Sequence, residues 1–245
     1  MQIILQYQNF TSQPIICLAN STNPNVSITA HISTWQIVPD QIRGYYQYDG
    51  SNRQWKVISK PQKFKKMALI VESPHKSEFD SNFNPLAPLN GASGRKFAAH
   101  ILTRLAAWFP TPTPSNDPIE ITIVNPIQYQ TSLYHFLNGL IPYDFQGTFG
   151  YPNIDPSLRD NVWRFLFEDC DLKSYFQQRI SRGKYDYVMN CCTGQKSNSY
   201  TSLKTFNLSR NAYKKTAPLK SLVRYSLNAV EDFSYVEDCH PIAWR

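Results

Sequence analysis

Short apolar runs alternate with helical patterns along most of this chain. Met67–Val71, Ile119–Val124 and Tyr185–Cys192 are rich in apolar residues and are bounded by turn-forming residues, which is typical of strands buried on both faces of a sheet. A fourth short run ends near Val236. Because helical segments separate the runs, the pattern predicts an α/β fold with a four-stranded, mainly parallel sheet and helices on both faces.

The segments between these runs carry apolar residues at intervals of three and four. The first is an amphipathic stripe that starts at Phe97, includes Ile101, Leu102 and Leu105, and reaches Trp108 before Pro110 stops the helix. Two further helices are predicted, one from the Asp155-Pro156 cap to Ile180 and one over Pro218–Val230.

Residues 1–66 show a different pattern. Ile3–Leu5 and Ile15–Leu18 are short apolar runs, and Tyr45–Tyr48 can pair with Trp55–Ile58 across a turn at Asp49 and Gly50. We therefore assign residues 1–66 to a β-rich N-terminal subdomain that ends in a basic connector. Residues 67–245 form the main α/β domain in this assignment.

Polar residues follow three of the predicted strands directly. Glu72 and Asn125 come after the first and second strands of the main domain, and His240 comes after the last. The carboxyl ends of parallel strands meet at one edge of a sheet, where open α/β sheets bind their ligands. These three residues therefore define a candidate site. Glu78 and Asp80, in the same loop as Glu72, are alternative carboxylates for it.

The amino-acid composition limits the kinds of binding partner and the cellular compartment that we expect for this protein. The chain has 25 Lys and Arg against 18 Asp and Glu, a net charge of +7, which favours a polyanionic partner. Its five cysteines are an odd number without C-x-x-C spacing, so neither a metal site, a cofactor motif nor a disulfide framework is predicted. No run approaches the ~20 apolar residues of a membrane span, and no signal peptide is recognisable. We expect a cytoplasmic monomer.

The segment Tyr187–Val230 contains basic residues but no acidic ones. Interleaved aromatic and small polar residues make it resemble a surface that follows a phosphate backbone, although a solvated loop and helix face explains the composition equally well. The residues Gly91, Ser93 and Gly94 open a helix and can present N–H groups to a phosphate, or simply start the helix. The seven basic residues are Lys196, Lys204, Arg210, Lys214, Lys215, Lys220 and Arg224.

Four of these features together resemble the uracil-DNA glycosylase superfamily. Val71–His75 stands where one branch reads Gly-Glu-Ala-Pro-Gly, and Pro88–Gly94 stands where that branch reads Pro-Phe-Val-Gly-x-Ala-Gly before a helix. Asn125 ends a strand as in the superfamily, and His240-Pro241 is similar to its closing His-Pro-Ser loop. The resemblance extends from about Met67 to Arg245 and leaves the N-terminal β region unexplained.

The resemblance implies a DNA glycosylase that flips a base and hydrolyses its bond to the sugar. Glu72 would be the catalytic anion, His240 a donor to the departing base, and Asn125 the amide that reads the base. The other base-binding residues that it implies are Ser73, Pro74, Leu89 and Asn90. The DNA-binding residues implied by the resemblance and the basic segment are Gly91, Ser93, Gly94, Lys196, Lys214, Lys215 and Trp244.

Trp244 has two interpretations. It stands where relatives insert an apolar wedge into the gap left by the flipped base, and it can equally pack down the chain terminus.

Departures from the resemblance point to an unusual base. Leu89 replaces a stacking Phe, Ser73 replaces a water-activating Asp, and the iron–sulfur cysteines of the branch are absent. A long irregular segment, Ile127–Asn153, adds to these differences. They favour a bulky base such as glucosylated hydroxymethylcytosine in phage DNA, with an antiviral role. The alternatives are an inactive module that binds modified DNA or a defence partner, and a small-molecule nucleoside or sugar hydrolase.

Overall fold

The computed structural model describes the chain in two compact units. The described residues are 2–7, 15–18, 27–32, 37–82, 84–110, 117–129, 163, 165–169, 172–193, 219–230 and 233–244. Five of the seven basic residues of the segment Tyr187–Val230 lie outside these ranges, as do most of the long irregular segment and the Asp155-Pro156 cap. Those five are Lys196, Lys204, Arg210, Lys214 and Lys215.

The first unit contains a three-stranded sheet. Its strands are β1 (Gln2–Tyr7), β2 (Ile15–Leu18) and β3 (Ser27–Ile32). They lie in the order β2-β1-β3, with β1 antiparallel to β2 and parallel to β3. The β-rich character predicted for this region is confirmed, with β3 as an additional strand. The unit comprises Met1–Val38, Ser73–Leu86 and Ile127–Leu172.

The second unit contains a six-stranded mixed sheet in the order β5-β4-β7-β6-β8-β9. The strands β6, β7, β8 and β9 run parallel to one another, so four parallel strands are present and the α/β class is confirmed. The strands are β4 (Gln41–Asp49), β5 (Gln54–Ile58), β6 (Lys65–Ile70), β7 (Ile119–Val124), β8 (Tyr187–Asn190) and β9 (Ser234–Glu237).

The β4–β5 hairpin has the predicted strand pairing, but it belongs to a different sheet from the one predicted. Tyr45 pairs with Ile58 and Tyr48 with Trp55, as expected from the turn between them. However, β4 also pairs antiparallel with β7, so the hairpin extends the main sheet and does not belong to the N-terminal subdomain. The prediction of a four-stranded sheet and of a boundary at residue 66 was wrong on this point. The hairpin covers the edge of β7 that a four-stranded sheet would leave unpaired.

Among the residues that the structure describes, three α-helices accompany this sheet. They are α1 (Ala92–Trp108), α2 (Leu172–Gly183) and α3 (Leu219–Leu227). Four of the five residues of the predicted stripe of α1, from Phe97 to Trp108, are buried and pack in one hydrophobic core with Met67 and Leu69 of β6, whereas Leu102 is 37% exposed. The end of α1 is also as predicted, because the N–H of Phe109 closes its last turn on the carbonyl of Leu105. Within the described ranges, no helix has the length and apolar character needed to cross a bilayer.

The start of α1 lies against the loop before it at a point where only glycine fits. Leu89 adopts a positive φ of 56°, and Arg43 Nη2 donates to its carbonyl oxygen at 2.9 Å. A Cβ on Gly94 would lie 1.5 Å from that same oxygen. The backbone of Leu89 and the first turn of α1 are therefore in direct contact.

We expect Gly94→Ala to lower the free energy of unfolding by about 3 kcal/mol, because the methyl group must displace a backbone carbonyl that Arg43 already holds. Urea denaturation measures the change. Gly50→Ala is the matched control, since a Cβ there has nothing within 4 Å, and it should change stability by less than about 0.5 kcal/mol. Equal losses in both variants would contradict the close contact.

Candidate functional site

The carboxyl ends of the parallel strands lie at one edge of the six-stranded sheet. Pairing continues past the strands, because the N–H of Val71 donates to Val124 at 2.9 Å and that of Cys191 donates to Ile70 at 2.8 Å. Glu72 therefore follows β6 and Asn125 follows β7 on adjacent strands. His240 follows β9, which is separated from β6 by β8.

Glu72 is a buried carboxylate between the ends of β6 and β8. The residue is 1% exposed, and its Oε2 accepts the backbone N–H of Thr193 at 3.2 Å. The Cys192 thiol, which contacts the carbonyl of Val71, is also buried. Burial raises the pKa of the Cys192 thiol and the nearby Glu72 charge raises it further, so this cysteine is a poor nucleophile.

Asn125 has an amide that its surroundings do not satisfy. The residue is 2% exposed, and neither Oδ1 nor Nδ2 has a hydrogen-bond partner among the residues that the structure describes. A buried polar atom left unpaired costs about 1–3 kcal/mol. Such a donor and acceptor, side by side on one planar group, suit a ligand that offers the complementary pair.

Asn190, at the end of β8, shows the contrasting arrangement. Its Nδ2 donates to the Tyr235 hydroxyl at 2.8 Å and to the Lys220 carbonyl at 3.0 Å, and its Oδ1 accepts the N–H of Cys192 at 3.1 Å. This asparagine is 0% exposed and fully used by the fold. The two asparagines therefore differ: Asn190 holds the sheet edge together, whereas the amide of Asn125 has no hydrogen-bond partner among the described residues.

The His240 ring caps the turn that follows β9. Its Nδ1 accepts the N–H of Ile242 at 3.3 Å at the start of a single 3-10 turn, Pro241–Ala243. A backbone amide can only donate, so the neutral ring carries its proton on Nε2. That tautomer presents an N–H donor, as the predicted role of His240 requires.

The loop that carries His240 is anchored on α1. Asp238 accepts the indole N–H of Trp108 at 2.9 Å, and Arg104 lies 3.6 Å from the same carboxylate oxygen. The other oxygen accepts the N–H of Cys239 at 2.7 Å. These contacts fix the backbone two residues before His240.

Comparison with family models, curated proteins and solved structures finds no match for this chain.

A residue that the sequence did not single out contacts the Asn125 turn. Arg179 of α2 donates from Nη2 to the carbonyl of Asn125 at 2.6 Å and to that of Pro126 at 3.3 Å. Its Nη1 lies within 2.6 Å of both carboxylate oxygens of Asp40. The only available signal was its position three residues after the buried Phe176, on an apolar face.

Trp244 does not have the predicted role of a DNA wedge. The residue is 0% exposed and its ring packs against Phe97 and Trp108, with centroid distances of 5.9 and 5.6 Å. Its indole N–H donates to the carbonyl of Cys239 at 3.0 Å. The second interpretation, an aromatic ring that packs down the chain terminus, is correct because α1 offers an aromatic surface there.

We expect Trp244→Ala to lower the free energy of unfolding by about 3–5 kcal/mol, as for other buried tryptophans. A wedge residue would cost little stability and would affect only the handling of DNA. Urea denaturation followed by circular dichroism distinguishes the two roles. A Trp244→Ala variant with unchanged stability would favour the wedge role over the packing role.

The predicted base-binding loop is also corrected in part. The side chain of Leu89 is 2% exposed and belongs to the hydrophobic core, so it does not form a wall of a base pocket. Asn90 is exposed beside it. Gly91 is the N-cap of α1 and no side chain caps the helix start. Ser73 and Pro74 belong to the first unit.

Two of the basic residues assigned to a phosphate-binding surface are occupied within the protein. Arg224 forms a bidentate ion pair with Glu237 at 2.7 and 2.8 Å. Lys220 contacts the carbonyl of Asp238. Both side chains brace α3 against the end of β9.

The alternative carboxylates Glu78 and Asp80 lie in the first unit. Asp80 accepts the N–H groups of Asn82 and Asn84 at 2.8 and 2.9 Å, and hydrogen bonds from Asn84 lower its pKa. It therefore organises its own loop. Glu78 is 5% exposed at the end of the turn Lys76–Glu78. Among the described residues, no group of three or more His, Cys, Asp or Glu could hold a metal ion.

Proposed function

We propose that this protein is a monofunctional DNA glycosylase that hydrolyses the N-glycosidic bond of a flipped base and leaves an abasic site. The observation that carries the proposal is the buried, unsatisfied amide of Asn125 on the strand adjacent to the one that delivers the buried carboxylate of Glu72. One group suits the hydrogen-bonding edge of a base, and the other suits the positive charge that develops on the sugar.

The proposed reaction needs only water as the second reactant. The bond between the sugar C1′ and the base nitrogen breaks, and its electron pair leaves with the base. Glu72 stabilises the cationic sugar and accepts the proton of the attacking water, while Nε2–H of His240 donates to the base as its negative charge grows. Unstacking the base costs a few kcal/mol, which contacts such as those of Asn125 offset.

The proposed substrate is a bulky modified base, such as glucosylated hydroxymethylcytosine in phage DNA, in antiviral defence. The support is twofold. Position 89 carries no aromatic ring that could stack on a small flat base, and its side chain lies in the core. Ser73 stands where efficient uracil enzymes of the resembling superfamily carry an Asp. The likeness of the parallel strands to that superfamily is part of the same proposal.

The substrate is tested by incubating the protein with phage DNA that carries glucosylated cytosines and, separately, with uracil-containing DNA. Alkali cleaves DNA at abasic sites, so we expect strand breaks in the glucosylated DNA. Strand breaks only in the uracil-containing DNA would contradict the assignment of a bulky base, but they would still support the proposed glycosylase activity.

A second candidate is a module that binds modified DNA without cleaving it. The observation that favours it is the bond from the Thr193 N–H to Glu72, which gives the carboxylate a structural use. Binding of glucosylated DNA without any abasic product would establish this candidate.

A further inference from the structure

The guanidinium of Arg179 is enclosed on several sides by the second unit. Its side chain is 10% exposed and pairs with Asp40, whose side chain is 21% exposed. The rings of Tyr175 and Phe176 lie 5.3 and 5.7 Å from the guanidinium carbon. An arginine held in this way has little rotational freedom, so its remaining N–H groups point in fixed directions.

Those N–H groups hold the backbone that carries the Asn125 amide. One amino group of Arg179 bridges two successive carbonyls, those of Asn125 and Pro126. Pro126 restricts the residue before it to extended conformations and offers no N–H of its own. Arginine and proline together therefore fix the backbone of Asn125 at the point where its side chain leaves the sheet edge.

The fixed backbone explains how the amide stays unsatisfied. Asparagine side chains readily bond to nearby backbone groups in turns. The two carbonyls after β7 are both occupied by Arg179, so neither needs the Asn125 Nδ2 as a donor. The contact therefore leaves Nδ2 without these two acceptors, and Oδ1 is likewise unpaired among the described residues.

We propose that Arg179, oriented by Asp40, is a positioning residue that holds the Asn125 amide in register with the base and thereby sets which base the site accepts. The inference rests on the proposed glycosylase function. Arg179 acts through Asn125 and makes no contact with the base itself. Lysine cannot replace it, because a single ammonium group lacks the planar fork that reaches a carboxylate and two carbonyls together.

The test is a double-mutant cycle of Arg179→Lys and Asn125→Leu, measured as single-turnover rates of base release from the preferred DNA. A misplacement of about 1 Å can cost a factor of about 100, so we expect Arg179→Lys alone to slow release about 10- to 100-fold. In the Asn125→Leu background the same change should add no more than about twofold, because its target is already gone.

A second readout is base discrimination. Arg179→Lys should reduce the ratio of release rates between the preferred base and unmodified cytosine by about tenfold. Loss of stability alone lowers both rates together and leaves this ratio unchanged. Arg182→Lys, an exposed arginine on the same helix, is the matched control and should change neither rate nor ratio.

Equal losses from Arg179→Lys in both backgrounds, with an unchanged ratio, would overturn the positioning role while leaving the glycosylase intact. If the wild-type protein binds modified DNA but releases no base, the glycosylase fails, and the cycle is run on dissociation constants with the same expected non-additivity. If the wild-type protein neither binds nor releases, both proposals are overturned.

Discussion

Glu72→Gln is expected to slow base release by about 10³-fold, the largest effect of any single substitution in this site. Glutamine keeps the size of the side chain but removes the negative charge that stabilises the sugar cation and accepts the proton of water. Its amide oxygen can still accept the N–H of Thr193, so the free energy of unfolding should change by less than about 1 kcal/mol. Single-turnover assays and urea denaturation measure the two quantities.

Glu120→Gln provides the matched control. Glu120 is also buried, at 5% exposure, but it lies near the start of β7, at the opposite end of the sheet from Asn125. It hydrogen-bonds Tyr45 there. This variant should release base at nearly the wild-type rate. A Glu72→Gln protein that is folded and as active as Glu120→Gln would exclude Glu72 as the catalytic anion and leave Glu78 as the candidate.

The second large effect is an opposite response of the two buried asparagines to leucine, which has nearly the same shape. Asn125→Leu should slow base release about 100-fold while the free energy of unfolding stays constant or rises by about 1–2 kcal/mol, since no hydrogen bond is lost. Asn190→Leu should lower the free energy of unfolding by about 2–4 kcal/mol, because three hydrogen bonds are broken and their partners stay buried.

Urea denaturation measures the stability of the two variants, and single-turnover assays measure their rates of base release. Together they test whether the unpaired Asn125 amide lowers stability in favour of function. If Asn125→Leu destabilises the protein as much as Asn190→Leu does, the Asn125 amide is a structural group. It would then no longer serve as evidence for a ligand.

The parallel strands were predictable from the sequence because a strand buried on both faces is locally rich in apolar residues. Met67–Ile70 of β6 is a continuous apolar run, β7 is rich in apolar residues, and polar residues mark the points where both strands end. The partner of the β4–β5 hairpin was not predictable in this way. Its tyrosines, Tyr45, Tyr46 and Tyr48, and the turn that follows them indicate a hairpin. Pairing between β4 and β7, however, joins residues more than seventy positions apart, and no local pattern encodes it.

The site residues differ in the same way: some could be predicted from their neighbours in the sequence, and others depend on contacts with distant residues. Glu72, Asn125 and His240 were found because each follows a strand, which is a property of neighbouring residues. Trp244 was placed by analogy with a motif, although its environment is determined by α1, far away in the chain.

Arg179 was missed for a related reason. An arginine in a helix is usually solvated, and its bonds to Asp40 and Asn125 depend on tertiary structure alone.

The measurement that tests the central claim most directly is mass spectrometry of the bases released from a panel of modified DNAs by the wild-type protein. The site described here predicts one released modified base, an intact sugar–phosphate strand with an abasic position, and no release by Glu72→Gln. Absence of any free base from every DNA in the panel, with a protein that is folded and binds those DNAs, would contradict the claim that this is a glycosylase.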